Sequence, residues 1–288
     1  MTAEQRFRLQ AADAYCQALL HHHENFRVAS RLSPRRLRRD LARIYAFCRF
    51  TDDLGDETAD RQLAVRRLHA WRAEVGALFS GIQMDHPVLL ALAETVEAHQ
   101  LQAQPFLDLI EANVQDQHTT RYEDWPALRG YCRLSAAPVG RMVLQLFRID
   151  GARAVSLSDD VCIGLQLANF AQDVSVDARR GRTYLLQGDL RAGGETGAVR
   201  AVCERARGLL ASGRELESLV PARLRAQLAL YRLGGNAILD AIARSAYMTH
   251  SHRPVVTGIA RAGILARTLR DTALRPAAAP AEAAVPDA

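Results

Sequence analysis

Apolar positions recur at three- and four-residue spacing through most of the chain, and alternating β-branched runs are few. That is the pattern of amphipathic helices rather than strands. The helix starts are marked as well. Ser33-Pro34 sets a cap residue before a proline and leads into Leu37, Leu41, Ile44, Ala46 and Phe47. Asp60 opens a segment through Leu63, Leu68, Trp71, Val75 and Leu78, which Gly81 closes. Gln104-Pro105, Asp124-Trp125-Pro126, Ser158-Asp159-Asp160 and Pro221 read as further starts. The expected fold class is all-α, with about eight to ten helices joined by short turns.

Two places interrupt this pattern. Proline and glycine within Ala136-Ala137-Pro138-Val139-Gly140 should bend a helical run. Gly181-Arg182-Thr183-Tyr184-Leu185-Leu186 follows a helix end and reads as an extended flap. With no internal repeat and no obvious linker, residues 1–275 are expected to form a single domain. Residues 276–288 are Pro/Ala-rich and read as a disordered tail.

Composition narrows the chemistry more than the class. A chain of 288 residues, 49% hydrophobic and 24% charged, can bury a large core without disulfides or a metal staple. All 37 basic residues counted as Lys+Arg are arginine. The absence of lysine excludes a Schiff-base or pyridoxal-phosphate lysine, a Walker-type phosphate lysine and a lysine general base. Codon bias accounts for most of these arginines, since alanine is abundant too. The net charge is +5, and the densest run is Arg35, Arg36, Arg38 and Arg39. No aromatic interleaving or docking motif accompanies it, so no nucleic-acid partner is expected. An anionic substrate or membrane surface suits the sign. Five widely spaced cysteines without a C-x-x-C pair suggest reduced thiols in a cytoplasmic protein. No signal-peptide core and no 18-residue apolar run is present, so no spanning segment is expected. His69, His86 and His99 read as surface or boundary positions, and His250 and His252 are poorly spaced for a metal. Asp116 and His118 sit near a helix end, their direction open.

Two carboxylate clusters point to a reaction. Asp52, Asp53, Asp56 and Glu57 crowd the end of an apolar helix, with Asp52 and Asp56 four apart on one face and Tyr45 and Arg49 continuing the stripe. Taken alone, this is also the pattern of a solvated helix end paired from Arg49 to Asp52 or Asp53. A second stripe, Asn169, Asp173 and Asp177, runs at i, i+4 and i+8 beside Leu165, Leu167 and Phe170. Facing one another, the two stripes would offer hard oxygen ligands to Mg²⁺, which binds substrate phosphates through a few carboxylates. Such a site stabilises the charge on a departing diphosphate.

At these residues the sequence resembles the squalene/phytoene synthase family of head-to-head prenyl transferases. The likeness runs from about His21 to Val256. Its motifs are Tyr45-Ala46-Phe47-Cys48-Arg49-Phe50-Thr51-Asp52-Asp53-Leu54-Gly55-Asp56-Glu57 and Leu165-Gln166-Leu167-Ala168-Asn169-Phe170-Ala171-Gln172-Asp173-Val174-Ser175-Val176-Asp177, followed by Arg180-Gly181-Arg182-Thr183-Tyr184-Leu185. The resemblance implies an isoprenoid-synthase-type helical bundle around a central apolar cavity capped by Mg²⁺. It implies Asp52, Asp56, Asn169, Asp173 and Asp177 at the metals. His22, His23, Asn25, Tyr45, Arg49 and Gln166 would touch diphosphate, with Arg182 close by. Tyr131, in Tyr131-Cys132-Arg133, falls on the family's catalytic tyrosine.

Departures from the family pattern narrow the resemblance. Relatives that condense two farnesyl diphosphates usually carry arginine where this chain has Gln172, which suggests that only one diphosphate is handled. Ser135-Ala136-Ala137-Pro138-Val139-Gly140-Arg141 replaces a more usual Val-Ala-Gly run, and Gly234-Gly235 stand where relatives often place an aromatic. With His23-Glu24-Asn25-Phe26, these features resemble the bacterial hydroxysqualene synthase branch of hopanoid pathways. That branch implies presqualene diphosphate, made by a sister synthase, as substrate. A cation formed there would be quenched by water, for which Gly234-Gly235 would make room. No dinucleotide fingerprint is present, so no NADPH is expected. The insoluble product suggests peripheral contact with the inner membrane. The rivals are condensation of two farnesyl diphosphates and, in another class, a non-catalytic assembly or scaffold homologue.

Overall fold

The computed structural model describes residues 2–19 and 35–274. The His22–Asn25 stretch, Ser33-Pro34, the side chains of Arg35 and Arg36, and the 276–288 tail lie outside the described residues. The described residues form thirteen helices and no strand. The first five are α1 (Ala3–Leu19), α2 (Arg35–Asp56), α3 (Arg61–Phe79), α4 (Pro87–His99) and α5 (Gln104–Gln115). Then come α6 (Trp125–Ser135), α7 (Ala137–Leu146), α8 (Ala152–Gln172) and α9 (Val174–Arg179). The last are α10 (Gln187–Ala211), α11 (Gly213–Leu219), α12 (Ala222–Arg244) and α13 (Gly258–Leu274). This exceeds the eight to ten expected, because short breaks divide runs whose apolar spacing continues across them.

Local chemistry sets several ends where the sequence marks them. The Asp60 carboxylate accepts from the backbone N–H groups of Gln62 and Leu63 at 2.8 and 3.1 Å, and Asp124 accepts from that of Ala127 at 3.0 Å. Caps of this kind stabilise a helix by about 1 kcal/mol each. Gly81 takes the positive φ of 80° that follows α3. Between α6 and α7 the run breaks at Ala136 (φ −118°), and Pro138 lies in the first turn that follows. The Gly181–Leu186 segment is extended, as its composition suggests. It is tied to the 120–123 stretch by bonds from the Thr183 N–H to the Thr120 carbonyl and from the Gln187 N–H to that of Tyr122.

One expected start is not a start. Ser158-Asp159-Asp160 lies within α8, and Asp159 is buried. Its carboxylate receives two bonds from Arg141 of α7, at 2.9 and 2.7 Å. The side chain that resembled a cap instead joins two helices. Gly140 lets those helices approach: a Cβ there would stand 2.5 Å from Ser158 Oγ and 2.6 Å from Cys162 Sγ. Gly140→Ala is expected to cost about 1–3 kcal/mol of stability by overpacking, read as a lowered urea midpoint. An unchanged midpoint would contradict this packing.

Two apolar cores result. One gathers α1–α5 around Phe47, Trp71, Leu89 and Phe106, and the other surrounds α8 with Leu128, Ile163, Leu167 and Leu210. Val143 and Phe147 pack against both. Gly235 serves this packing, because a Cβ there would be 2.8 Å from Leu165 Cδ2 and 3.0 Å from Leu210 Cδ1. Gly235 therefore lets α12 lie against α8 and α10, whereas a Cβ on Gly234 would meet nothing within 4 Å. The pair does not line the cavity described below, so the expected room for water there is not found. All five cysteines are free, and burial pushes the Cys16, Cys132, Cys162 and Cys203 thiols up to about 12. Among the described residues, no helix is long and apolar enough to cross a membrane.

Candidate active site

The ends of α2, α5 and α8, the face of α6 and the flap surround one cavity of about 280 Å³. Asp52 and Asp56 stand on its wall opposite no single helix: α8 ends at Gln172, and Asp173 (φ −100°, ψ 16°) breaks it from α9. Asn169, Asp173 and Asp177 all line the cavity, but across this kink rather than along one continuous stripe as expected. Gln166, Tyr131 and Arg182 line it too. The cavity is less apolar than expected. Cys48, Leu109, Ala112, Val139 and Phe170 supply apolar surface, and most of the remaining lining is polar.

Packing at the seam sets the first carboxylates. Gly55 has no side chain to hold off α5, so Asn113 and Gln117 close on α2; a Cβ would be 3.1 Å from Asn113 Oδ1. Asn113 Nδ2 donates to Asp52 Oδ1 at 3.1 Å. Burial pushes the Asp52 carboxyl up to about 7, against the Asn113 bond and helped by the Asp56 charge. Asp177 is likewise pushed up to about 7, by burial first and then by Asp173. Asp56 receives Arg180 at 3.1 Å and Arg182 at 2.9 Å. Asp173 is paired with Arg253, whose Nη2 lies 3.1 Å from Oδ2.

These oxygen donors fit a hard divalent cation, whose charge would offset the desolvation and the lesser like-charge repulsion that hold Asp52 and Asp177 above the usual carboxylate range. Among the described residues no three carboxylate, histidine or cysteine side chains form a ready-made metal cluster. A cation here would therefore complete its shell with oxygens from a bound ligand, as Mg²⁺ commonly does with phosphates.

Other expected contacts lie elsewhere. Arg49 turns along α2 to Asp53 at 2.5 Å and Glu57 at 3.4 Å, and neither it nor Tyr45 lines the cavity. The i,i+4 geometry of α2 favours that pairing over reach into the cavity. Gln172 is buried and also outside the lining; its Nε2 donates to the Pro254 carbonyl at 2.6 Å. This side chain points toward the segment after α12. His22, His23 and Asn25 lie outside the described residues. His86 packs on Phe50 and Trp71, and His99 meets Asp40 at 3.3 Å, both at boundary positions.

Three residues were not assigned from the sequence. Arg180 stood within the quoted motif, and Arg253 carried no spacing signal. Asp116 points inward: its Oδ2 accepts from the Tyr131 hydroxyl at 2.6 Å and its Oδ1 from that of Tyr184 at 3.2 Å. The three- and four-residue polar spacing Asn113, Asp116, Gln117 at the C-terminal end of α5 was the available signal. Behind these phenols the rings form a wall, with Phe170 and Tyr184 stacked at 3.8 Å and Tyr131 5.6 Å from Tyr184. Such π-faces attract cations.

Comparison with known proteins bears on the family and the fold. The model of the squalene/phytoene synthase family matches residues 19–260. The presqualene diphosphate synthase of Rhodopseudomonas palustris is 33% identical over 162 residues, covering 56% of this chain and 57% of the relative. The hydroxysqualene synthase of Zymomonas mobilis is 34% identical over 180 residues, covering 61% and 59%. The chain thus spans less than two thirds of the length of these two relatives. The crystal structure of squalene synthase HpnC from Alicyclobacillus acidocaldarius superposes with a TM-score of 0.77 at 42% identity, covering 86% of this chain and 97% of that one. An all-helical fold, two aspartate motifs meeting at one cavity and a family match across most of the sequence lead to one assignment: the chain belongs to the squalene/phytoene synthase family.

Proposed function

We propose that the chain is a hydroxysqualene synthase, converting presqualene diphosphate and water to hydroxysqualene and diphosphate. The observation that carries the reading is Gln172. The residue before Asp173 is a neutral amide committed to the Pro254 carbonyl, so position 172 itself supplies no cation for a second diphosphate, and the neighbouring Arg253 is paired with Asp173. Asp52, Asp56, Asn169, Asp173 and Asp177 are the residues that would hold Mg²⁺. When bound, that ion supplies positive charge against the departing diphosphate. Arg180 and Arg182 add cationic charge at the same rim.

The substrate's C–O bond breaks with its electron pair leaving on the diphosphate. The resulting cyclopropylcarbinyl cation rearranges beside Phe170, Tyr131 and Tyr184, whose rings stabilise positive charge without attacking it. Apolar side chains such as Leu109 and Val139 limit the water admitted. One water then adds to the cation and gives the alcohol. The substrate would come from a sister synthase, and the poorly soluble product would leave toward a membrane surface.

The test is product analysis with purified protein, Mg²⁺ and presqualene diphosphate, without a nicotinamide. Hydroxysqualene is the expected product. Squalene formed only with NADPH, or no turnover, overturns the reading. Farnesyl diphosphate alone should release no pyrophosphate; release of one equivalent with presqualene diphosphate as product, or of two with squalene or dehydrosqualene, would establish the condensing rival.

A further inference from the structure

The acidic side chains that line the cavity differ in their partners. Asp56 and Asp173 are paired with arginines, whereas the hydrogen-bond partners of Asp116 are two phenols. The 2.6 Å bond from Tyr131 falls in the range of charge-assisted O–H···O⁻ contacts. The second bond, from Tyr184, fixes the rotation of the carboxylate, and Tyr184 is itself fixed by its stack on Phe170. A phenol that donates its hydrogen to a carboxylate keeps its oxygen lone pairs free to accept another. Tyr131 lines the cavity beside the Tyr184 hydroxyl, which leaves a lone pair for a donor molecule inside the cavity. Burial also holds the Asp116 carboxyl up, at about 6, which makes it a better base than an exposed carboxylate.

We propose that Tyr131 and Asp116 form a proton relay that completes the addition of water, with Asp116 as the terminal acceptor. The inference rests on the hydroxysqualene reading above. A lone pair on the water oxygen forms the new C–O bond to the cation. One O–H bond of that water breaks, and its proton passes to Tyr131 Oη as the proton of Tyr131 passes to Asp116 Oδ2. The product is a neutral alcohol, and Asp116 returns the proton to the released diphosphate. Tyr131 is the residue that touches the reacting water. Asp116 acts through it, as a positioning residue and proton sink.

The experiment compares Asp116→Asn, Tyr131→Phe and the double variant with the wild type, using presqualene diphosphate and Mg²⁺. Asparagine keeps the size of Asp116 and can still accept from a phenol, but it cannot take a proton. Alcohol formation should fall about tenfold further than diphosphate release in Asp116→Asn, with olefins taking up the difference, while KM moves less than about twofold. Tyr131→Phe, which leaves the carboxylate in place, should shift the products the same way. The double variant should be no worse than the poorer single one, as for residues acting as a unit, and Asp116→Glu should recover part of the alcohol. An unchanged alcohol share in Asp116→Asn or Tyr131→Phe, or losses that multiply in the double variant, overturns the relay alone. A wild type that yields no alcohol from presqualene diphosphate overturns the proposed function and the relay together.

Discussion

Replacing Glu217 by alanine is expected to lower the free energy of unfolding by about 3–5 kcal/mol, the cost of leaving a buried charge without its partner. Glu217 of α11 and Arg232 of α12 are both buried, and their side chains join through two bonds, at 2.6 and 3.2 Å. Arg225, one face along α12, donates to the Glu217 backbone carbonyl at 2.9 Å, so the carboxylate is the part that substitution removes. The stem of Arg232 is held as well: a Cβ on Gly213 would be 3.0 Å from its Cδ. Guanidinium chloride unfolding measures the effect. A loss below about 1 kcal/mol would mean that the pair behaves as an exposed one. Replacing both members by leucine should cost much less than Glu217→Ala, since two apolar side chains leave no charge stranded.

That pair belongs to a pattern the composition announced without explaining. With no lysine, the chain makes its buried ion pairs through the guanidinium fork. Arg43 meets Asp13 at 2.7 and 3.1 Å, Arg141 meets Asp159 at 2.9 and 2.7 Å, and Arg232 meets Glu217. Each uses two nitrogens on two oxygens, a geometry an ammonium group cannot copy. Arginine richness that codon bias can explain is thus also used to fasten α1 to α2, α7 to α8 and α11 to α12.

The sequence was readable where a residue's partner is local. Asp60 and Asp124 cap helices through N–H groups two and three residues away, and Asp52 and Asp56 share a face because a helix repeats. It misled where a side chain of the same type is used over distance: Ser158-Asp159 has cap chemistry, but Asp159 serves Arg141 on another helix. The second motif shows the limit within the site. Its aspartates were legible as a set, yet the break at Asp173 is a backbone event with no proline or glycine to mark it. Asp116 was visible only as a polar residue near a helix end, because its role depends on hydroxyls from Tyr131 and Tyr184, on two other segments. Arg253 reaches Asp173 from the far end of the chain and left no periodic trace.

Asp52→Asn is expected to lower kcat/KM for presqualene diphosphate by about 10³-fold while leaving the fold as stable as before or more so. The two effects have one cause. Asp52 is open to solvent at the cavity, but protein packs around its carboxyl, which receives one bond from Asn113 and faces Asp56, so the folded chain holds its charge at a cost. An asparagine there keeps an acceptor for Asn113 and removes the charge. For a reaction that needs a cation and a diphosphate beside that carboxylate, the same change removes an oxygen that neutral amides replace poorly. A residue present for structure would lose stability and activity together, whereas one held against the fold's preference should lose activity alone. Thermal melting, turnover and calorimetric binding of inorganic diphosphate with and without Mg²⁺ separate the cases. Retained Mg²⁺-dependent diphosphate binding with turnover within about tenfold of wild type would remove Asp52 from the proposed site. A wild-type protein with no Mg²⁺-dependent diphosphate affinity at all would favour the scaffold homologue over the enzyme.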